Sequence, residues 1–226
     1  MNTLYNAAFF DFDGTLADTR LASVEATQAA FRHFGLTTPD TELILQYMGI
    51  PIEKSFDAMR KPSISGISTE DIITYFREIY PSICDKTTHL YEGISELLSV
   101  LKEEHFYLAV VTSKKSTVLA RNLENLGLNN IFDVIVGSDH VSNYKPHPEP
   151  LNMAMHQLNT LARQDISGLM IGDAVSDIEM GQSARVDTCG VTWGAFERRT
   201  LEKSSPDYLV SSVSELRTVL FKKVST

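Results

Sequence analysis

Two aspartates spaced two residues apart, Asp11 and Asp13, close the apolar run Phe9-Phe10-Asp11-Phe12-Asp13, and a Gly14-Thr15-Leu16 turn follows. Side chains alternate along an extended strand, so such a pair points the same way. Two like charges aimed at one spot repel unless a cation or a shared proton intervenes. The pair therefore reads as a metal site or as carboxylates with acid–base work. Further polar groups come in order downstream: Thr112-Ser113 followed by Lys114, Lys145-Pro146, and Asp173 with Asp177 four residues on. Each has an ordinary structural use. A hydroxyl caps a helix, a lysine sits in solvent, and an acid complements a helix first turn. Their joint order, at strand ends and, for Lys145, in the segment ahead of a helix, points instead to one edge where carboxylates, hydroxyls and an ammonium meet.

The elements that would position them alternate. Near-continuous apolar residues predict a first strand over Tyr5–Phe10, buried on both faces. A helical stripe runs over Asp18–Phe34 and Gly35 is placed to end it. Shorter helices are expected near Asp40–Met48, Glu53–Arg60 and Thr69–Tyr80, punctuated by Pro39, Pro51, Pro62 and Pro81, with a loop over Ser63–Ser68. No strand is legible between Phe10 and Phe106. Thereafter helices are expected over Gly93–Glu104, Lys115–Leu126, Pro148–Asn159, Asp177–Ala184 and Val213–Phe221. The strands among them are Tyr107–Thr112, Asp133–Gly137, Gly168–Gly172, Asp187–Val191 and Tyr208–Val210. This rhythm implies right-handed crossovers and a parallel sheet covered on both faces. The expected fold is α/β: a doubly wound, Rossmann-like core of residues 1–16 and 86–226, with an all-helical cap of residues 17–85 inserted after the first strand. In such sheets ligands bind beyond the carboxyl ends of the strands, which is where the polar groups fall.

With 226 residues the chain can bury a core without disulfides or structural metal. The formal net charge of -9 and the lack of a basic stripe argue against nucleic acid as a partner. An anionic substrate would have to be held by local cations or backbone amides. Cys84 and Cys189 lack metal-ligand spacing and read as free thiols of a reducing compartment. No signal-like segment and no membrane-spanning run is legible, so a cytoplasmic protein without a membrane partner is expected. None of the six histidines pairs at the spacing of a zinc helix. Trp193, after a late strand, reads as core packing.

Asp11-Phe12-Asp13-Gly14-Thr15-Leu16, Thr112-Ser113, Lys145-Pro146 and Gly172-Asp173-Ala174-Val175-Ser176-Asp177 resemble the four ordered motifs of the haloacid dehalogenase superfamily. The position of the helical insertion, Ala17-Asp18-Thr19, and Lys145-Pro146-His147-Pro148-Glu149-Pro150 resemble its helical-cap, phosphoglycolate phosphatase-like subfamily. The resemblance implies a Mg²⁺-dependent phosphatase acting on a small phosphorylated metabolite through an aspartyl-phosphate, as a monomer or homodimer. It makes Asp11 the nucleophile and Asp13 the acid–base group. Asp11, the backbone carbonyl of Asp13 and Asp173 would hold Mg²⁺. Thr112 or Ser113 would bind the phosphate oxygens, Lys145 would neutralise phosphate and nucleophile, and Asp177 would orient Lys145 or the metal's waters.

Two alternatives share the fold: a phosphomutase, and a non-catalytic binding or regulatory module. Related sugar-phosphate mutases carry an arginine shortly after a cap glycine comparable to Gly49, and related phosphonate hydrolases a lysine there. Ile52 stands at the equivalent position, with Lys54 two residues on. A metal-free dehalogenase would not need Asp13. Intact Asp11, Asp13, Lys145 and Asp173 argue against an idle module. Phosphoglycolate is the substrate the resemblance suggests; pyrophosphate, sugar phosphates and nucleotides fit the motifs as well.

Overall fold

The computed structural model describes residues 3–60 and 66–223. Its centre is a six-stranded, wholly parallel sheet. The strands are β1 (Ala7–Phe10), β4 (Tyr107–Val111), β5 (Val134–Val136), β6 (Gly168–Gly172), β7 (Asp187–Val191) and β8 (Tyr208–Val210), in the order β5-β4-β1-β6-β7-β8. The strand bearing Asp11 lies between β4 and β6, so their carboxyl ends adjoin its own. Alternation divides the core. Ala8, Phe10, Leu108, Val110, Leu169 and Ile171 face one layer, while Ala7, Phe9, Ala109, Val111 and Met170 face the other. Helices α5 (Ile94–Glu103), α6 (Ser116–Asn125) and α10 (Val213–Leu220) cover the first layer through Leu97, Leu101, Leu119 and Leu216. Helices α7 (Glu149–Ala162) and α8 (Val175–Ser183) cover the second through Leu151, Leu158 and Met180. The fold is the expected doubly wound α/β arrangement.

Between β1 and α5 the described residues form four helices: α1 (Arg20–His33), α2 (Thr41–Gln46), α3 (Ile52–Met59) and α4 (Thr69–Thr87). Small residues on one face of α1, Ala22 and Ala26, let α4 approach through Tyr80 and Cys84. Ala30 and Phe31 of α1, Phe56 of α3 and Ile72 and Ile73 of α4 form a separate apolar cluster. That packing explains a correction. Pro81 does not end the helix that begins at Thr69; it lies inside α4, which continues to Thr87. An interior proline costs roughly 3 kcal/mol, and burial of the α4 face on both sides of it offsets that cost.

A second correction concerns strands. Ala17–Asp18 (β2) pairs antiparallel with His89–Leu90 (β3), joining the two ends of the helical segment. Two-residue strands have no periodicity to read. The helix α9 (Arg198–Lys203) and the short 3₁₀ turn Ser138–His140 were also not legible; α9 buries only Leu201. Helix α8 begins at Val175, not Asp177, because the Asp177 carboxylate accepts from the Ala174 amide at 3.1 Å and closes its first turn. The first strand begins at Ala7 rather than Tyr5. Pro62 and the first half of the loop expected over Ser63–Ser68, residues 63–65, lie outside the described residues.

Candidate active site

Asp11 follows β1 directly, and its amide donates to the Ile171 carbonyl at 2.9 Å, so strand pairing carries to the residue itself. The chain then coils: the Leu16 and Ala17 amides both return to the Phe12 carbonyl, with Gly14 at φ +85. Only glycine fits there. A Cβ on Gly14 would lie 2.2 Å from Asp173 Oδ2, and one on Gly194 would meet the same atom at 2.2 Å. Asp173, at the end of β6, is thus clasped between two backbones and accepts from the Ala195 amide at 2.7 Å.

Lys145 comes from the loop before α7. Its Nζ lies 2.6 Å from Asp11 Oδ1 and 2.6 Å from Asp177 Oδ1, with all three side chains at most 3% exposed. Burial pulls the Lys145 ammonium toward neutrality, but Asp11 and Asp177 outweigh it and hold its pKa above the usual lysine value. The Asp11 carboxyl is pushed up to about 7, chiefly by burial, with Lys145 opposing and Asp177 and Asp13 adding to the rise. Asp173 is raised well above the carboxylate range by burial and by Asp11 and Asp177. Asp11, Asp173 and Asp177 each offer an oxygen within 4.8 Å of the others. Three buried carboxylates thus face one buried ammonium, and Asp11 Oδ2 is buried with no hydrogen-bond partner. Uncompensated buried charge is expensive. A divalent cation fits this donor set in sign, in hard oxygen chemistry and in supplying the orphaned oxygen with a partner.

The Asp13 carboxylate lies outside that triad and is held on one oxygen. Thr19 Oγ1 and Lys114 Nζ each donate to its Oδ1 at 2.7 Å. Lys114 also reaches Tyr80 Oη at 3.2 Å and Asn122 Oδ1 at 3.3 Å. Burial lowers the Lys114 pKa, but Asp13 and Tyr80 raise it further, so its ammonium is retained. The sequence marks Thr19 only through its place in Ala17-Asp18-Thr19 and Lys114 only as the residue after Thr112-Ser113; the contact of both with Asp13 is a finding of the structure. Thr112 is buried at the end of β4, and its Oγ1 accepts from the Lys114 amide at 3.2 Å. Ser113 is committed elsewhere, donating to the Gly49 carbonyl of the helical segment at 2.7 Å. Lys54 Nζ stands 5.3 Å from the centre of the Tyr144 ring. His147 is half exposed and its Nδ1 accepts from the Glu149 amide. Trp193 packs on the core edge, as expected, and donates from Nε1 to the Thr15 carbonyl at 3.1 Å.

The site is thus a lysine-bridged aspartate cluster at the carboxyl edge of a parallel, Rossmann-like α/β sheet. The model of the haloacid dehalogenase-like hydrolase family matches residues 8–191. A pyrophosphatase PpaX of Bacillus pumilus is 32% identical over 215 residues, covering 95% of this chain and 96% of its own. A phosphoglycolate phosphatase of Colwellia psychrerythraea is 30% identical over 213 residues, covering 92% and 93%. Among solved structures, a haloacid dehalogenase-like hydrolase of Streptococcus pneumoniae has a TM-score of 0.79 at 27% identity, covering 94% of this chain and 97% of that one. The chain belongs to the haloacid dehalogenase-like hydrolase family and is a phosphatase of that family.

Proposed function

We propose that the chain is a Mg²⁺-dependent phosphatase that hydrolyses a small phosphomonoester through an aspartyl-phosphate on Asp11. The observation that carries the reading is the Lys145 bridge, which engages one Asp11 oxygen and leaves Oδ2 without a partner. An Asp11 carboxylate oxygen attacks phosphorus, and the bond from phosphorus to the ester oxygen breaks. Asp13, held by Lys114 and Thr19, gives the departing oxygen a proton. Asp13 then takes a proton from water as that water attacks phosphorus, which frees phosphate and restores Asp11. Lys145 balances the charge of nucleophile and phosphoryl group, and Thr112 holds phosphoryl oxygens. Mg²⁺ held by Asp11, Asp173 and the Asp13 backbone carbonyl, with Asp177 beside them, would screen carboxylate from phosphate and polarise the phosphoryl oxygens. Residues 17–85 would act as a cap that excludes water and reads the rest of the substrate.

No helix among the described residues is long and apolar enough to cross a membrane. Cys84 and Cys189, unpaired and buried, fit a reducing cytoplasm, the location we propose. The test is hydrolysis of an aryl phosphate with Mg²⁺ by wild type and Asp11→Asn. The variant should fold and lose turnover, since the amide is nearly isosteric but a poor nucleophile. An Asp11→Asn enzyme retaining about a tenth of wild-type kcat would overturn the assignment.

A further inference from the structure

A cavity of about 360 Å³ opens on Asp11, Asp13 and Thr112 and extends into the helical segment. That is the lower end of the roughly 300–1,000 Å³ range of small-molecule sites. Its far wall is made by Ile44, Met48, Ile52, Phe56, Met59 and Phe76. An aromatic row leads along it to the acid–base group. Phe56 meets Phe76 edge-on at 5.2 Å, Phe76 stacks on Tyr80 at 4.9 Å, and the Tyr80 hydroxyl contacts Lys114. The cationic side chains among the described lining residues each lie beside a carboxylate, two of them sharing one. Lys114 is on Asp13 at 2.7 Å, and Arg77 and Lys115 flank Glu53 at 2.5 and 3.8 Å. Arg77, Lys115 and Glu53 are more than a third exposed, at the rim. A second anionic group on the substrate would lose its hydration against the apolar wall, where none of the lining cations stands.

We propose, resting on the phosphatase reading above, that this cavity receives the leaving group and that the group is uncharged and apolar, with ring or branched-chain bulk. Burial of such a group yields the hydrophobic contribution that a carboxylate or a second phosphate cannot. The substrate class is therefore a phosphomonoester of an aromatic or branched aliphatic alcohol rather than phosphoglycolate, pyrophosphate or a sugar bisphosphate.

The test has a kinetic and a binding arm, both with Mg²⁺. For wild type, kcat/KM should be about tenfold or more higher for 2-naphthyl phosphate and isopentyl phosphate than for phosphoglycolate and pyrophosphate. Benzylphosphonate, which is not cleaved, should bind correspondingly tighter than phosphonoacetate. Ile52→Lys, at a half-buried wall position, should narrow or reverse both preferences. Equal or better use of phosphoglycolate or pyrophosphate, or tighter phosphonoacetate binding, overturns the proposal while leaving the phosphatase reading intact. Absence of turnover with every phosphate overturns the phosphatase reading, and this proposal with it.

Discussion

Asp11 and Asp13 stand two residues apart, yet the structure gives them different surroundings. Asp11 is buried among Lys145, Asp173 and Asp177, while Asp13 is held by Lys114 and Thr19. Separate partners suit separate roles. Asp13→Asn should lower kcat about 10²–10⁴-fold with a poor leaving group, and a near-normal rate would show that Asp13 handles no proton. Lys114→Met should release one anchor of the Asp13 carboxylate and lower kcat by up to about 10²-fold with little change in KM for a small aryl phosphate. Lys114→Arg should recover part of the loss, because a cation returns to the same place. A KM effect without a kcat effect would assign Lys114 to substrate binding instead. Asp11, Asp13 and Asp173 were legible because each falls at the end of an apolar run, where a parallel sheet exposes its ligand edge, whereas Lys145, in a polar loop ahead of a helix, was legible through the motif it resembles. The role of Lys114 was not legible: its partner is 101 residues away, and a lysine opening a helix looks like any solvated lysine.

At the scale of elements, strands β6, β7 and β8 were readable to the residue, because short segments bounded by turn residues admit few alternatives. The β2–β3 pair was not, since its two residues per strand carry no pattern and the pairing is fixed by where the helical segment leaves and returns. Pro81 shows local propensity overruled by packing. Replacing it should reveal the cost: Pro81→Ala restores an amide donor in the middle of α4 and should raise stability by about 1–2 kcal/mol, less than the full interior penalty because the unfolded chain also gains freedom. Thermal unfolding measures this, and a lower Tm would mean that the helix is shaped around the proline ring.

For the whole molecule, the balance of buried charge couples stability to pH and to metal. The Asp11 pKa stands at about 7 in the fold, against 3.8 for an ordinary aspartate. Between those values the folded protein holds a proton that the unfolded chain has released, so this group's contribution to stability falls as pH rises from about 4 to about 7. Asp173 acts in the same direction. Mg²⁺ requires the ionised carboxylates, so its stabilising effect should be larger at about pH 8 than at about pH 5. At about 100 times its Kd the cation should contribute about 2.7 kcal/mol, a Tm rise of several degrees. An equal Tm rise at both pH values would show that the cation binds away from these aspartates.

The account's central claim is that phosphorus passes through Asp11 rather than directly to water. The stereochemical course at phosphorus tests it most directly, using a phosphomonoester made chiral with oxygen isotopes and a chiral acceptor alcohol in place of water. Two successive in-line displacements, first by Asp11 and then by the acceptor, predict net retention of configuration. Net inversion would mean a single displacement by the acceptor and would contradict the account.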